Sequence, residues 1–398
     1  MLDNISKLYT ITLVLLPAIN VYRSPIPSVE LGTFIILFCT VFFFCNEMRF
    51  NKPGLGALWL YLLLVFYICT AISSIIVGYN SIEYRGVFFR YMKIVIIVLA
   101  LFTIGNNHFD AKLGIKTLKI FSLSCVAYII IQYIAYYILG IRLIGVVSSL
   151  ASAEGYAEYV SNSVHQLLYR PCAFFFEPAH FASYSFVYLC WLLTHGEEKH
   201  CNLQITFIII GLLLSTSGTA YAILPVLIIF SLMFKAKNGT LAFYNAWKYG
   251  VVILTVGILI VLFFNSEIGS SSLGRLFNDD GSLGGAATGR LQSGAYKLFK
   301  ELPTVLQFIG CGFGYRPSDV YFPSIYAILY GDGYLGLGLF VILLVIYFVK
   351  AREFGKMLCI TYAILFIGTG VFNFASIGLY FCLISEETRE PGYDSLYQ

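Results

Sequence analysis

Stretches of roughly 17–25 apolar residues recur from one end of this chain to the other, the length needed to cross a bilayer as an α-helix. No other feature restricts the fold as much. In lipid, every backbone N–H and C=O must find its partner within the protein, so a continuous apolar run is read as a helix. A membrane barrel would show short segments of alternating character instead. Of the 398 residues, 59% are hydrophobic and 12% charged, whereas a soluble domain carries about 25% charge. The expectation is an all-α, polytopic integral membrane protein forming a single transmembrane domain over residues 1–398.

The runs place about eleven spans, at 8–22, 29–45, 55–77, 87–104, 117–139, 177–194, 203–217, 219–234, 248–265, 322–349 and 357–384. The first is short, like the core of a secretion signal. No small-x-small cleavage site follows it, so it reads as an uncleaved span. The last two are long enough to tilt, or to hide a break at Gly331-Asp332-Gly333.

Arg49 and Lys52, then Lys112, Lys116 and Lys119, then Lys199, then Lys235, Lys237 and Lys248, then Lys350, Arg352 and Lys356 fall on alternate connections. By the positive-inside rule those connections and the amino terminus are cytoplasmic. An odd number of spans then puts the acidic tail (Glu386, Glu387, Glu390) outside. The two long connections, 140–176 and 266–321, also fall outside. Loops that long are usually functional or disordered, and both carry aromatic and aliphatic residues throughout.

The net charge of +4 is spread along the chain and argues against a nucleic-acid partner. The ten cysteines lie mostly within apolar runs and lack CxxC spacing. They read as small packing residues, without metal or disulfide duty. A bridge between Cys172 and Cys311 is left open.

Chemistry concentrates in the two long connections. The first ends in Arg170-Pro-Cys-Ala-Phe-Phe-Phe-Glu177-Pro-Ala-His180. Pro178 suits the first helical position, which makes Glu177 an N-cap and puts His180 in the first turn. Phe174–Phe176 are expected at the bilayer interface. The open N–H groups of the helix start, with Arg170 beside them, form a candidate anion site. Glu177 and His180 are three residues apart and can share a helix face, as a general base and its orienting partner do. The alternative is a capping carboxylate and an interfacial histidine. His165, upstream, is a further candidate contact, with a solvated loop histidine as its alternative.

In the second connection, Thr288-Gly-Arg290 opens an amphipathic helix near 290–302. Leu291, Ala295, Leu298 and Leu302 line one face; Arg290, Ser293, Lys297 and Lys300 line the other. Such a helix is expected to lie on the outer membrane surface. A cation in its first turn opposes the helix dipole by roughly 0.3–1 kcal/mol, which a nearby anion would offset; snorkelling to a headgroup is the alternative. Gly310-Cys-Gly-Phe-Gly314 then forms a close-approach turn before Arg316. Arg275 and Arg316 are supplementary anion ligands. Asp332, between two glycines in an apolar run, marks a helix break facing an aqueous cavity.

Arg170-Pro…Phe176-Glu177-Pro-x-His180-Phe-Ala, Leu214-Ser-Thr-Ser-Gly-Thr219, Thr288-Gly-Arg290, Gly310-x-Gly-x-Gly314 and Tyr334-Leu-Gly336-Leu-Gly338 together resemble the bacterial O-antigen polymerase (Wzy-type) family and the related O-antigen ligases. The resemblance implies a GT-C-like helical glycosyltransferase of the bacterial inner membrane, active on the periplasmic side without metal or cofactor. It implies an oligosaccharide repeat unit on undecaprenyl diphosphate as both donor and acceptor, contact with membrane lipids, and a chain-length regulator protein as a partner. Family arginines map onto Arg170 and Arg290; the expected catalytic residues are Arg290 on the diphosphate, helped by Arg170 or Arg316, and Glu177 or His180, whose spacing suits taking the acceptor proton. Arg170, His165, Arg275, Arg316 and Asp332 are left as substrate contacts. The family's paired outer loops carry arginine and glycine at a regular spacing; here only Arg290 with Gly310 approaches it. A ligase transferring finished polymer to a lipid A core, and a flippase for the same lipid-linked sugar, are the rival readings. Against transport, no pair of related halves is visible in the sequence.

Overall fold

The computed structural model describes residues 2–26, 29–46, 62, 65–66, 68–70, 72–73, 108–150, 169–196, 200–237, 294–312, 320, 322–370 and 374–388. Among the described residues it is all-helical. It holds α1 (Leu2–Ile19), α2 (Leu31–Asn46), α3 (Ala111–Leu139), α4 (Pro178–Thr194), α5 (Cys201–Leu214), α6 (Gly218–Lys237), α7 (Gly294–Glu301), α8 (Thr304–Ile309), α9 (Ser324–Lys350), α10 (Glu353–Gly368) and α11 (Phe374–Glu387). Helices α1, α3 and α9 are long and apolar enough to cross a membrane, while α2, α5 and α6 are shorter apolar helices. The spans expected at 87–104 and 248–265 lie outside the described residues, as does most of 55–77.

The chain forms two compact units. One comprises residues 1–119, 150–152 and 289–398; the other comprises 120–149 and 153–288. In the first, α9, α10 and α11 pack through aromatic rings. Phe340 stacks on Phe366 with centroids 4.7 Å apart, and Phe381 meets Tyr362 at 5.2 Å and Tyr347 at 5.6 Å. Such pairs contribute roughly 0.5–1.5 kcal/mol each beyond their buried area. These rings serve the core of this unit.

The last expected span, 357–384, is not one crossing. Helix α10 stops at Gly368, Thr369 follows in extended conformation (φ −140°, ψ 170°), and α11 runs back alongside. The Arg352 amide donates to the Glu387 carbonyl at 3.3 Å, so α11 ends where α10 began. Glu386 and Glu387 are buried there; they do not emerge at the opposite end. Apolar length alone cannot tell one tilted helix from two short antiparallel ones when the turn between them is itself uncharged. Helix α1 lies antiparallel to α11. Gly378 sits close to Leu13 and Leu16, and Tyr9 lies near Cys382 and Glu386. The Asp110 amide donates to Thr10 at 3.0 Å, which brings the lysine-bearing start of α3 to this same end.

The amphipathic helix of the second long connection forms as α7, but its apolar side is not spread on lipid. Ala295 and Phe299 are fully buried in a cluster with Leu306, Cys311, Phe322, Leu329 and Tyr330, and the Phe299 ring meets Tyr334 edge-on at 5.2 Å. Lys297 and Lys300 remain exposed. Periodicity finds the apolar face of a helix without saying what covers it; here the protein does.

Helix α9 carries the expected break. Gly333 has φ 66° and ψ −169°, a combination open only to glycine. The Cys311 and Gly312 amides donate to the Tyr330 and Gly331 carbonyls at 2.9 and 2.8 Å, so the turn after α8 takes over backbone groups freed by the break. The fit allows no side chain: a Cβ on Gly310 would lie 2.1 Å from the Gly331 oxygen.

In the second unit α4 is the central element, buried on every face from Phe181 to Leu193, as expected of a helix that is apolar all round. The Cys201 thiol reaches the Leu192 carbonyl at 3.4 Å and the Ser231 hydroxyl reaches that of Leu193 at 3.3 Å. Helices α5 and α6 thus both meet the far end of α4. Running back about 20 Å at 1.5 Å per residue, they return their shared turn, Ser215–Ser217, to the level of Glu177.

Candidate functional site

The start of α4 is shaped by local sequence. Pro178 occupies the first helical turn and Glu177 is extended before it (φ −136°, ψ 150°). The capping position is as expected, yet the Glu177 carboxylate makes no capping hydrogen bond. The Glu177 carbonyl instead accepts from the His180 and Phe181 amides at 3.0 and 3.2 Å, and Pro178 has no N–H. The Phe181 bond is the first of the regular helical ladder, but with Pro178 lacking an N–H and that of His180 already used, the expected anion site keeps fewer open donors than a helix start usually offers. What remains is a solvent-facing acid. Glu177 and His180 both reach solvent, the imidazole from densely packed surroundings that act on it more strongly than the Glu177 carboxylate within its electrostatic reach.

The preceding segment is held by a residue that the motif does not contain. Gln132, in the interior of α3 and 1% exposed, donates from Nε2 to the Leu143 carbonyl and accepts at Oε1 from the Ala173 amide, both at 3.0 Å. It ties the irregular run after α3 to the run before α4. Gly145 lies so close to Ala173 that a Cβ would sit 1.7 Å from the Ala173 oxygen. Ala173 itself has φ 51°. Two of the three phenylalanines then turn onto protein. Phe174 stacks on Tyr128 at 4.9 Å, and Phe175, 1% exposed, packs against Tyr184 and Phe121. Aromatic rings are favoured at an interface, but more area is removed from water when a folded loop receives them.

This anchoring brings together charges that are distant in sequence. Burial pushes the Cys172 thiol up to about 12; Arg142 and Arg170 act against that shift, and Glu177 adds to it. The thiol is thus inert and forms no disulfide, but it marks the point around which two arginines and Glu177 gather. Arg142 was not singled out in the sequence. Its guanidinium lies 5.8 Å from the centre of the Tyr169 ring, and Tyr169 stacks on Tyr136 at 4.3 Å and donates to Leu143. The available signal was its place two residues after Gly140, where a cation follows the end of a long apolar helix.

At the same end of this unit lies Ser215-Thr216-Ser217, part of the motif noted from the family resemblance. All three are buried. Ser215 donates to the Leu212 carbonyl at 2.7 Å, whereas the Thr216 and Ser217 hydroxyls have no hydrogen-bond partner. Thr216 has φ 52°, costly for a β-branched residue. Ser217 precedes α6, so these hydroxyls stand at a helix start. Unsatisfied hydroxyls at a strained turn suit a ligand rich in hydrogen-bond acceptors.

Asp332 belongs to the first unit. The break is where the sequence put it, but its carboxylate is 1% exposed and not on an aqueous surface. His165, Arg275, Arg290 and Arg316 lie outside the described residues. Among the described residues no group of three or more His, Cys, Asp and Glu side chains is placed to hold a metal. No protein-family model matches the chain, and no curated protein matches it. The residues and their geometry carry the functional reading.

Proposed function

We propose that the chain is a membrane glycosyltransferase of GT-C-like, many-span architecture. It polymerises undecaprenyl-diphosphate-linked oligosaccharide repeat units at the periplasmic face of the inner membrane. The observation that carries this is the solvent-facing Glu177–His180 pair beside Arg142 and Arg170 at one end of an otherwise apolar helix group. An acid–imidazole pair and permanent cations together suit transfer from a sugar diphosphate.

The acceptor sugar hydroxyl gives its proton to Glu177, with His180 orienting the carboxylate. The hydroxyl oxygen forms the new glycosidic bond as the anomeric carbon–oxygen bond to the diphosphate breaks, and undecaprenyl diphosphate leaves with the electron pair. The largest demand is the charge developing on that leaving group. Arginine meets it as a permanent, bidentate donor, and preorganised donors of this kind contribute a few kcal/mol. Arg142 and Arg170 take this role from the first loop; Arg290 is assigned to it on sequence alone.

The test is the length distribution of lipid-linked and surface glycans in the native host carrying Glu177→Gln, Arg142→Ala or Arg170→Ala at normal protein level. A polymerase variant leaves single repeat units on the surface acceptor. A ligase variant leaves long polymer on the lipid carrier, and that result would reassign the reaction. Normal ladders from all three variants would remove the proposal. The broken helix α9 is the one observation favouring transport, since transporters place broken helices at their sites. Lipid-linked single units trapped on the cytoplasmic leaflet would identify that activity.

A further inference from the structure

We infer that Asp332 is a proton-binding site built into the break of α9, where its carboxyl is neutral. This stands apart from the proposed transferase chemistry, which uses none of these residues.

The carboxyl is 1% exposed and its Oδ1 has no hydrogen-bond partner. Among the described residues nothing is placed to balance a charge on it. A Cβ on Gly336 would lie 2.3 Å from Asp332 Cβ and 2.6 Å from the Phe66 ring, so the side chain is wedged between its own helix and an aromatic face. Ser73, from the segment that also carries Phe66, spends its hydroxyl on the Cys69 and Ile309 carbonyls at 2.8 and 3.0 Å. On the remaining side the Phe308 and Ile309 backbone closes against Gly333. Among the described residues Cys69 is a titratable group near enough to feel the carboxylate, and no cation acts on Asp332.

An ionised carboxylate without a partner is not tolerated in apolar surroundings; the group takes up a proton instead. A metal cation is the other way to neutralise it. A hard cation requires about six oxygen ligands, however, and among the described residues no second carboxylate stands with Asp332 to form such a set. The proton is the ligand that fits. Losing it would leave an ionised carboxylate in these apolar surroundings, which favours the bound proton.

The experiment is infrared spectroscopy of the full-length protein in lipid at neutral pH, wild type against Asp332→Asn. The expected result is the carbonyl band of a protonated, weakly hydrogen-bonded carboxylic acid, absent from the variant and unchanged by Na+ or K+. Absence of that band from the wild type, or its disappearance on adding either cation, overturns the inference. A second measurement does not depend on the variant folding. A membrane-soluble carbodiimide, which reacts with protonated carboxyls, should modify Asp332 in the wild type, as located by peptide mass spectrometry. Modification at Asp332 supports the assignment, and its suppression by Na+ would make the site a metal-cation site and refute it.

Discussion

Glu177 and Asp332 both stand just before the start of a helical segment, and their surroundings give them opposite characters. Glu177 is extended ahead of Pro178, and the helix it opens is sealed by its own carbonyl, which takes the His180 and Phe181 amides. Its carboxylate is left facing water. Asp332 precedes Gly333 with φ 66°, in a helix that resumes at once, and its carboxylate is enclosed. The residue that follows decides the outcome. Proline ends an incoming loop and starts a helix at a surface, whereas a left-handed glycine lets a chain bend inside a packed core without leaving it. One carboxylate is available for chemistry on a substrate, the other for a proton alone.

The sharpest way to break this contrast is Glu177→Gln. With no capping bond to lose, folding should be unaffected, while transfer falls about 10²–10⁴-fold; polymer formation in isolated membranes and a thermal melt of the same sample check both halves. A melt shifted along with activity would make Glu177 structural. Gly310→Ala probes the other region. It forces a side chain onto the Gly331 oxygen at φ 85° and should destabilise the first unit by about 3 kcal/mol, read by denaturation in detergent. Gln132→Leu strands the Leu143 carbonyl and the Ala173 amide, at a cost of about 2–4 kcal/mol for the pair. It should also reduce transfer by displacing Arg170; limited proteolysis between 140 and 176 reports the displacement. Lys297→Ala comes last. Its contact with Glu301, at 4.0 Å and well exposed, should contribute less than about 0.5 kcal/mol, measured by the same denaturation.

The sequence made legible what depends on period and punctuation. Pro178 placed the start of α4, and Gly331-Asp332-Gly333 placed the break in α9. The alternation at Ala295, Leu298 and Leu302 placed α7. What it hid were partners distant along the chain. Gln132 lies in an apolar run 41 residues before the amide it binds, and a polar residue inside a span signals a role without naming its partner. Arg142 reads as an ordinary flanking cation until folding brings it to Cys172. The reversal after Gly368 is silent for a different reason: a helical hairpin and a single long helix can share one hydropathy profile. The glycines and hydroxyls of Ser215–Gly218 were visible as a motif, but strain at Thr216 is a property of the folded turn.

That reversal has a consequence for the two ends. Because α11 comes back to the end where α1 and α10 begin, Leu2 and Glu387 lie at one end of the first unit. Reporter proteins fused at those two positions would then sit in one compartment. If the lysine-rich connections face the cytosol, both fusions would fluoresce there together, and neither would be cut by a protease added from outside.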